Sequence, residues 1–97
     1  MGEGEPEGVV ARYRVVVYGL VQGVWFRDSC RRVAMGEGVA GWVRNRSDGT
    51  VEGVFEGPID AVARCVSWCR MGPPRADVTG IDVTEEPAEG IAGFVVR

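Results

Sequence analysis

The sequence predicts one α+β domain: a split βαβ (βαββαβ) sandwich whose antiparallel sheet carries two helices on one face. Three observations carry that prediction. Runs with two-residue apolar alternation and runs with helical apolar spacing follow one another in that order. Turns rich in glycine and proline separate them. The 97 residues suffice for one compact core and leave no room for a second.

The first strand is expected over Val10–Tyr18, rich in valine and tyrosine, with Tyr13, Val15 and Val17 on one face. A loop with two glycines follows. Phe26, Cys30, Val33 and Ala34 then recur at helical spacing, which places a helix near Arg27–Glu37 that Gly38 ends. Asp28 falls in its first turn, where a carboxylate suits the helix dipole. Val39–Asn45 and Thr50–Glu56 alternate on either side of Arg46-Ser47-Asp48-Gly49, and Asp-Gly between two such runs signals a hairpin. Asp48 is read as a turn former. Gly57-Pro58 breaks the strand and suits a helix start. Ile59, Val62, Ala63, Val66 and Cys69 form the expected buried stripe of a second helix, stopped by Gly72-Pro73-Pro74. Ile81 and Val83 alternate as a strand should. Val78 falls out of that phase, so a bulge or break is expected near Gly80. A turn-rich stretch, Glu86–Gly93, leads to a short strand, Phe94–Arg97. The order is the ferredoxin-like one with a possible extra strand. Trp42, Phe55 and Phe94 are expected in the core.

The formal charge of −3 is unevenly placed. Glu3, Glu5 and Glu7 lie in the Gly/Pro-rich stretch 1–8, expected to be a flexible acidic leader to a domain at 9–97. Without those three, eleven acidic residues face eleven arginines. A near-neutral domain with no basic run is a poor nucleic-acid partner, because counterion release needs clustered cations. No apolar run approaches the ~18 residues of a membrane helix. No signal peptide is expected, since the chain shows no charged-then-apolar start, and Pro6 spoils a myristoylation match. A monomeric cytoplasmic protein without membrane attachment is expected.

The missing residue types narrow the chemistry further. Without histidine there is neither a histidine-based triad nor a histidine metal site, and without lysine there is no Schiff base and no Walker lysine. Gln22 is the only glutamine and Asn45 the only asparagine. Cys65 and Cys69 stand four apart on a helix, with Cβ atoms ~5–6 Å apart. A disulfide wants ~3.5–4.5 Å. With Cys30 they are expected to be reduced, partly buried small hydrophobes, and neither metal nor cofactor is expected.

The stretch from Gly19 to Arg27 is a strand-to-helix turn of mainly small or apolar residues. Such a turn can aim several backbone N–H groups inward, with a helix N-terminus behind them, and so form an anion site. Gly19 and Gly23 permit a tight path and close ligand approach. Arg27 can reach the same anion with a planar fork of donors. It is neither a Walker loop nor a dinucleotide fingerprint. These features support an anion cradle and no particular reaction.

Gly19-Leu20-Val21-Gln22-Gly23-Val24-Trp25-Phe26-Arg27 resembles the acylphosphatase signature G-x-V-Q-G-V-x-[FY]-R at every defined position. Gly41-Trp42-Val43-Arg44-Asn45, followed by Asp48-Gly49-Thr50-Val51, is similar to that family's second block, G-W-V-x-N then D-G-x-V. The likeness runs from about Val10 to the C-terminus. Glu37 departs from it, standing where the family usually has an aliphatic residue. The resemblance implies metal-independent hydrolysis of the carboxyl–phosphate anhydride of small acyl phosphates. It also implies roles: Arg27 binds the phosphate, Asn45 positions the attacking water, and backbone N–H groups near Gln22, Gly23 and Val24 cradle the phosphoryl oxygens. The Gln22 side chain could equally serve only to satisfy backbone groups of the loop.

Two other readings share the element order. An RNA-recognition domain stacks bases on aromatics of its third strand, but Thr50–Glu56 is acidic with a single aromatic. A non-catalytic regulatory domain would not need both Arg27 and Asn45.

Overall fold

The computed structural model describes residues 9–97, so the expected leader lies outside the described residues. Five strands and two helices alternate as β1 (Val10–Leu20), α1 (Phe26–Glu37), β2 (Ala40–Asn45), β3 (Val51–Pro58), α2 (Ile59–Cys69), β4 (Asp77–Glu86) and β5 (Phe94–Val96). The sheet order is β4-β1-β3-β2-β5. Pairings β1–β3, β1–β4 and β2–β3 are antiparallel, as expected, whereas β5 joins β2 in parallel and makes the sheet mixed. Chain direction explains the difference. β4 ends at Glu86, opposite Arg12 and therefore at the end of the sheet where β2 begins. A segment crossing there can only run beside β2 in the same direction.

Alternation on β1 sends Val15 and Val17 into the core, with Tyr13 packed against it. Their partners across β3 are Gly53, Val51 and Phe55, and the helices cover this face. Phe55 stacks on Phe94, with ring centroids 5.7 Å apart, and both are buried, as is Trp42. Cys30, Cys65 and Cys69 are free thiols buried between the helices and the sheet. Burial pushes the Cys65 thiol up to about 12.

Gly38 ends α1 in the left-handed conformation, and Val39 N–H donates back to Ala34 C=O at 2.9 Å, a Schellman closure. The unexpected Glu37 is engaged at that helix end, accepting a hydrogen bond from Arg64 of α2 at 2.8 Å. Asp48 shapes the hairpin by accepting from Thr50 N–H (3.0 Å) and Thr50 Oγ1 (2.6 Å). The Thr50 hydroxyl and then its N–H hold the Asp48 carboxyl below its usual range.

The bulge expected near Gly80 is present, and one detail of α2 differs from the sequence reading. β4 is continuous, but its register against β1 skips Thr79, pairing Tyr18 with Gly80 and Gly19 with Val78. That bulge brings both Val78 and Ile81 against the core despite their odd spacing. In α2 the buried residues are Ala61, Val62, Cys65 and Cys69, while Ile59 and Ala63 are exposed. The helix packs on β1, β3 and α1. Its flank toward edge strand β4 has no third helix over it, so Ile59, Ala63 and Val83 line a shallow open hollow.

Candidate active site

β1 ends, α1 begins and β2 ends at one end of the sheet, and three segments meet there. The first is the loop Val21–Trp25. Val21 and Val24 are buried and pin it to the core, while Gly23 and Trp25 are exposed. Gly19 at the strand end has φ 119°, and a Cβ there would run into the Asp77 carbonyl, so only glycine lets β1 turn beside β4. Gly23 (φ 74°) and Trp25 (φ 68°) are left-handed on either side of Val24. Such alternation turns successive N–H groups toward one side, the arrangement known as a nest. Among the described residues, the backbone N–H groups of Val21 through Asp28 have no hydrogen-bond acceptor. A Cβ at Gly23 would meet nothing within 4 Å, so this part of the loop faces open space.

The second segment is the start of α1. Trp25 is its N-cap and makes no side-chain cap, which leaves the helix N-terminus bare toward the loop. Arg27 is the second residue of the helix and half-buried. The third is the end of β2, where Asn45 pairs with Val51 and alternates with Val43 and Gly41 on the helix-covered face. Arg27 and Asn45 make no side-chain hydrogen bond or ion pair with any described residue. Both line one open cleft of about 530 Å³ with Val21, Gly23, Phe26 and Val96.

Gln22 and Val24 lie outside that lining. The Gln22 amide donates to the Arg46 carbonyl at 2.7 Å and the Thr50 carbonyl at 3.0 Å. It therefore ties the loop to the hairpin that follows Asn45, which holds the cradle and the amide in fixed relation. Val24 is anchored in the core, and only its backbone remains for a ligand. Three further residues line the cleft: Trp25, Asp28 and Arg31. Sequence reasoning missed Arg31 although the signal was there, since it follows Arg27 by one helical turn. Among the described residues no three His, Cys, Asp or Glu side chains gather to hold a metal ion. No helix among the described residues is long and apolar enough to cross a membrane.

The Acylphosphatase family model matches residues 13–96, the whole of this arrangement. The chain belongs to the acylphosphatase family. Hydrolysis of acyl phosphates is that family's activity, and the chain is a hydrolase of this class. It is similar to an acylphosphatase of Rubrobacter xylanophilus, 60% identical over 89% of this chain and 79% of the relative. Among solved structures, the acylphosphatase of Bacillus subtilis is 42% identical, with a TM-score of 0.86 over 90% of this chain and 98% of that one. An acylphosphatase from Coxiella burnetii is 39% identical, with a TM-score of 0.87 over 91% of this chain and 93% of that one. Acylphosphatases therefore share both the sequence blocks and the split βαβ sandwich that brings them together.

Proposed function

We propose that the cleft between the Val21–Trp25 loop and Asn45 is where the acyl phosphate is bound and cleaved. The observation that carries this reading is the meeting of Arg27, Asn45 and a run of unpaired backbone N–H groups at one open cleft. The phosphoryl oxygens lie against the N–H groups of Gln22, Gly23 and Val24, with the α1 N-terminus behind them. Arg27 offers its fork to the same oxygens, neutralising charge as it develops. Asn45 holds a water in line with the scissile P–O bond. The carboxylate is a good leaving group and needs no strong general acid, so the substrate phosphate can take the water's proton. Phosphoryl transfer of this kind rests on positioning and electrostatics, which a chain without histidine or lysine can supply.

The reaction is assigned to residues 9–97 acting as a monomer, without metal or cofactor. Free buried thiols suit the reducing cytoplasm. Nucleic acid is not a partner in this reading, because Phe55, the β3 aromatic, is buried in the core and has no face for a base.

Hydrolysis of benzoyl phosphate in the presence of a chelator tests the assignment, with Asn45→Ala as the control. The variant should fold normally and lose about 10²–10³-fold in turnover, the loss seen when one preorganised donor is removed. Near-wild-type turnover by Asn45→Ala would exclude the water-positioning role.

A further inference from the structure

The cleft is larger than a phosphate requires, and its remaining walls bear on the other half of the substrate. With the phosphoryl group held by the loop, Arg27 and Asn45, the acyl half meets Trp25, Val96, Asp28 and Arg31. Two of these are apolar and exposed, the indole of Trp25 by 71%. The other two are charged, and they differ in one respect. Asp28 is paired with Arg32 of the next turn, at 3.1 Å. Arg31 makes no ion pair and no side-chain hydrogen bond with any described residue.

Arg31 stands four residues beyond Arg27, so the two lie on one face of α1, separated by roughly 6 Å of helix rise. Arg31 also lines a second, separate groove of about 910 Å³, bordered by Met35 of α1 and by Phe94 and Val95 of β5. The one acidic side chain of that groove, Glu56, is committed elsewhere. Its oxygens accept from Arg12 and from the Glu89 and Gly90 N–H groups. An acyl half extending away from the anhydride therefore passes an uncommitted guanidinium, while the one carboxylate of the cleft, Asp28, is paired with Arg32.

Resting on the reading of the cleft given above, we propose that Arg31 is a specificity residue. It selects acyl phosphates whose acyl half carries a second anionic group, a carboxylate or a phosphate, a few bonds beyond the anhydride. A charge-assisted hydrogen bond at a solvent-open site is worth about a 5–10-fold preference. Benzoyl phosphate separates this effect from general attraction, because its para-carboxylate and para-phosphate analogues differ from it mainly by the added charge. The wild-type enzyme should favour both analogues about 5–10-fold in kcat/KM, through KM, with the preference falling as salt is raised. Comparing the two analogues shows which anion the site fits better. Arg31→Gln should erase the preference and leave kcat/KM for benzoyl phosphate within about twofold, and Arg31→Lys should restore part of it. Loss of activity by equal factors on all three substrates would reduce Arg31 to a general attractor of phosphate and overturn the proposal. Wild-type turnover of benzoyl phosphate with no preference overturns it too, while leaving the cleft reading intact. No turnover of any of the three would instead remove the cleft reading, and this proposal with it.

Discussion

The open face of the sheet and the cleft at its end both depend on arginine, and they use it in opposite ways. On the open face Arg12 is 5% exposed and reaches Glu56 and Glu86, each at 3.1 Å. Arg14 bridges Glu86 and Glu52, and Arg44 meets Glu52 at 2.7 Å. Trp42 lies beneath, with the guanidinium groups of Arg14, Arg44 and Arg97 over its ring. Glu52, Glu56 and Glu86 each pair with an arginine of another strand. In the cleft, Arg27 and Arg31 form no ion pair with any described residue, and the carboxylate beside them, Asp28, is paired with Arg32. A paired guanidinium fixes strands, whereas an unpaired one beside a bare helix N-terminus keeps its donors for an anion that arrives from outside.

The largest effect that could break this contrast is on Arg27. Arg27→Ala should lower turnover by about 10³–10⁵-fold, the range for an arginine that stabilises a transferring phosphoryl group. It should also abolish competitive inhibition by inorganic phosphate, with little change in thermal stability. Phosphate inhibition at wild-type strength in this variant would place the anion elsewhere.

The reverse experiment is Arg12→Met. Removing one partner of a buried pair leaves a buried charge uncompensated and costs about 3–5 kcal/mol. Here the cost should fall near the lower end, about 3 kcal/mol, because Glu56 keeps two backbone N–H donors. Denaturant titration measures the loss, and kcat of the folded variant should be unchanged. A variant as stable as wild type would show that the pair is not holding the strands.

The two regions were also unequally legible. The loop could be read as an anion cradle because its features are local: a strand, two glycines and a helix start. The Asp48-Gly49 turn likewise announces its hairpin, whereas the role of Asn45 came from the family resemblance. The open-face network could not be read. Arg12 and Arg14 alternate along β1 as solvent-facing residues would, and their partners lie 38 to 74 residues away. Only the strand order brings them together. The parallel placement of β5 was hidden for the same reason, since a three-residue strand carries no periodicity that names its neighbour. The exposed flank of α2 was misjudged because apolar spacing shows that a helix has a buried face, not how much sheet is available to cover it. Around the cleft, the roles of Gln22 and Arg31 divide on the same line. Arg31 follows from helical period alone, but the two carbonyls that hold Gln22 belong to a hairpin some 25 residues on.

Acid sharpens the contrast by a smaller and graded amount. Hydrogen bonds from Arg14 and then Arg12 hold Glu86 below the ordinary glutamate value of 4.5. The Glu89 N–H, with Arg12 and Gly90, does the same for Glu56. The native state thus favours the charged carboxylates. Their contribution is complete above the ordinary value and is lost as pH falls through the lower, folded-state values. Stability should therefore be flat from neutral pH to about 5 and decline below it. Glu86→Gln should begin less stable at pH 7 and lose less on acidification, because one of the depressed carboxylates is gone. Unfolding free energies measured from pH 7 to pH 3 decide the point. If the two curves fall in parallel, the acid loss arises elsewhere, and the open face contributes packing around Trp42 and not charge.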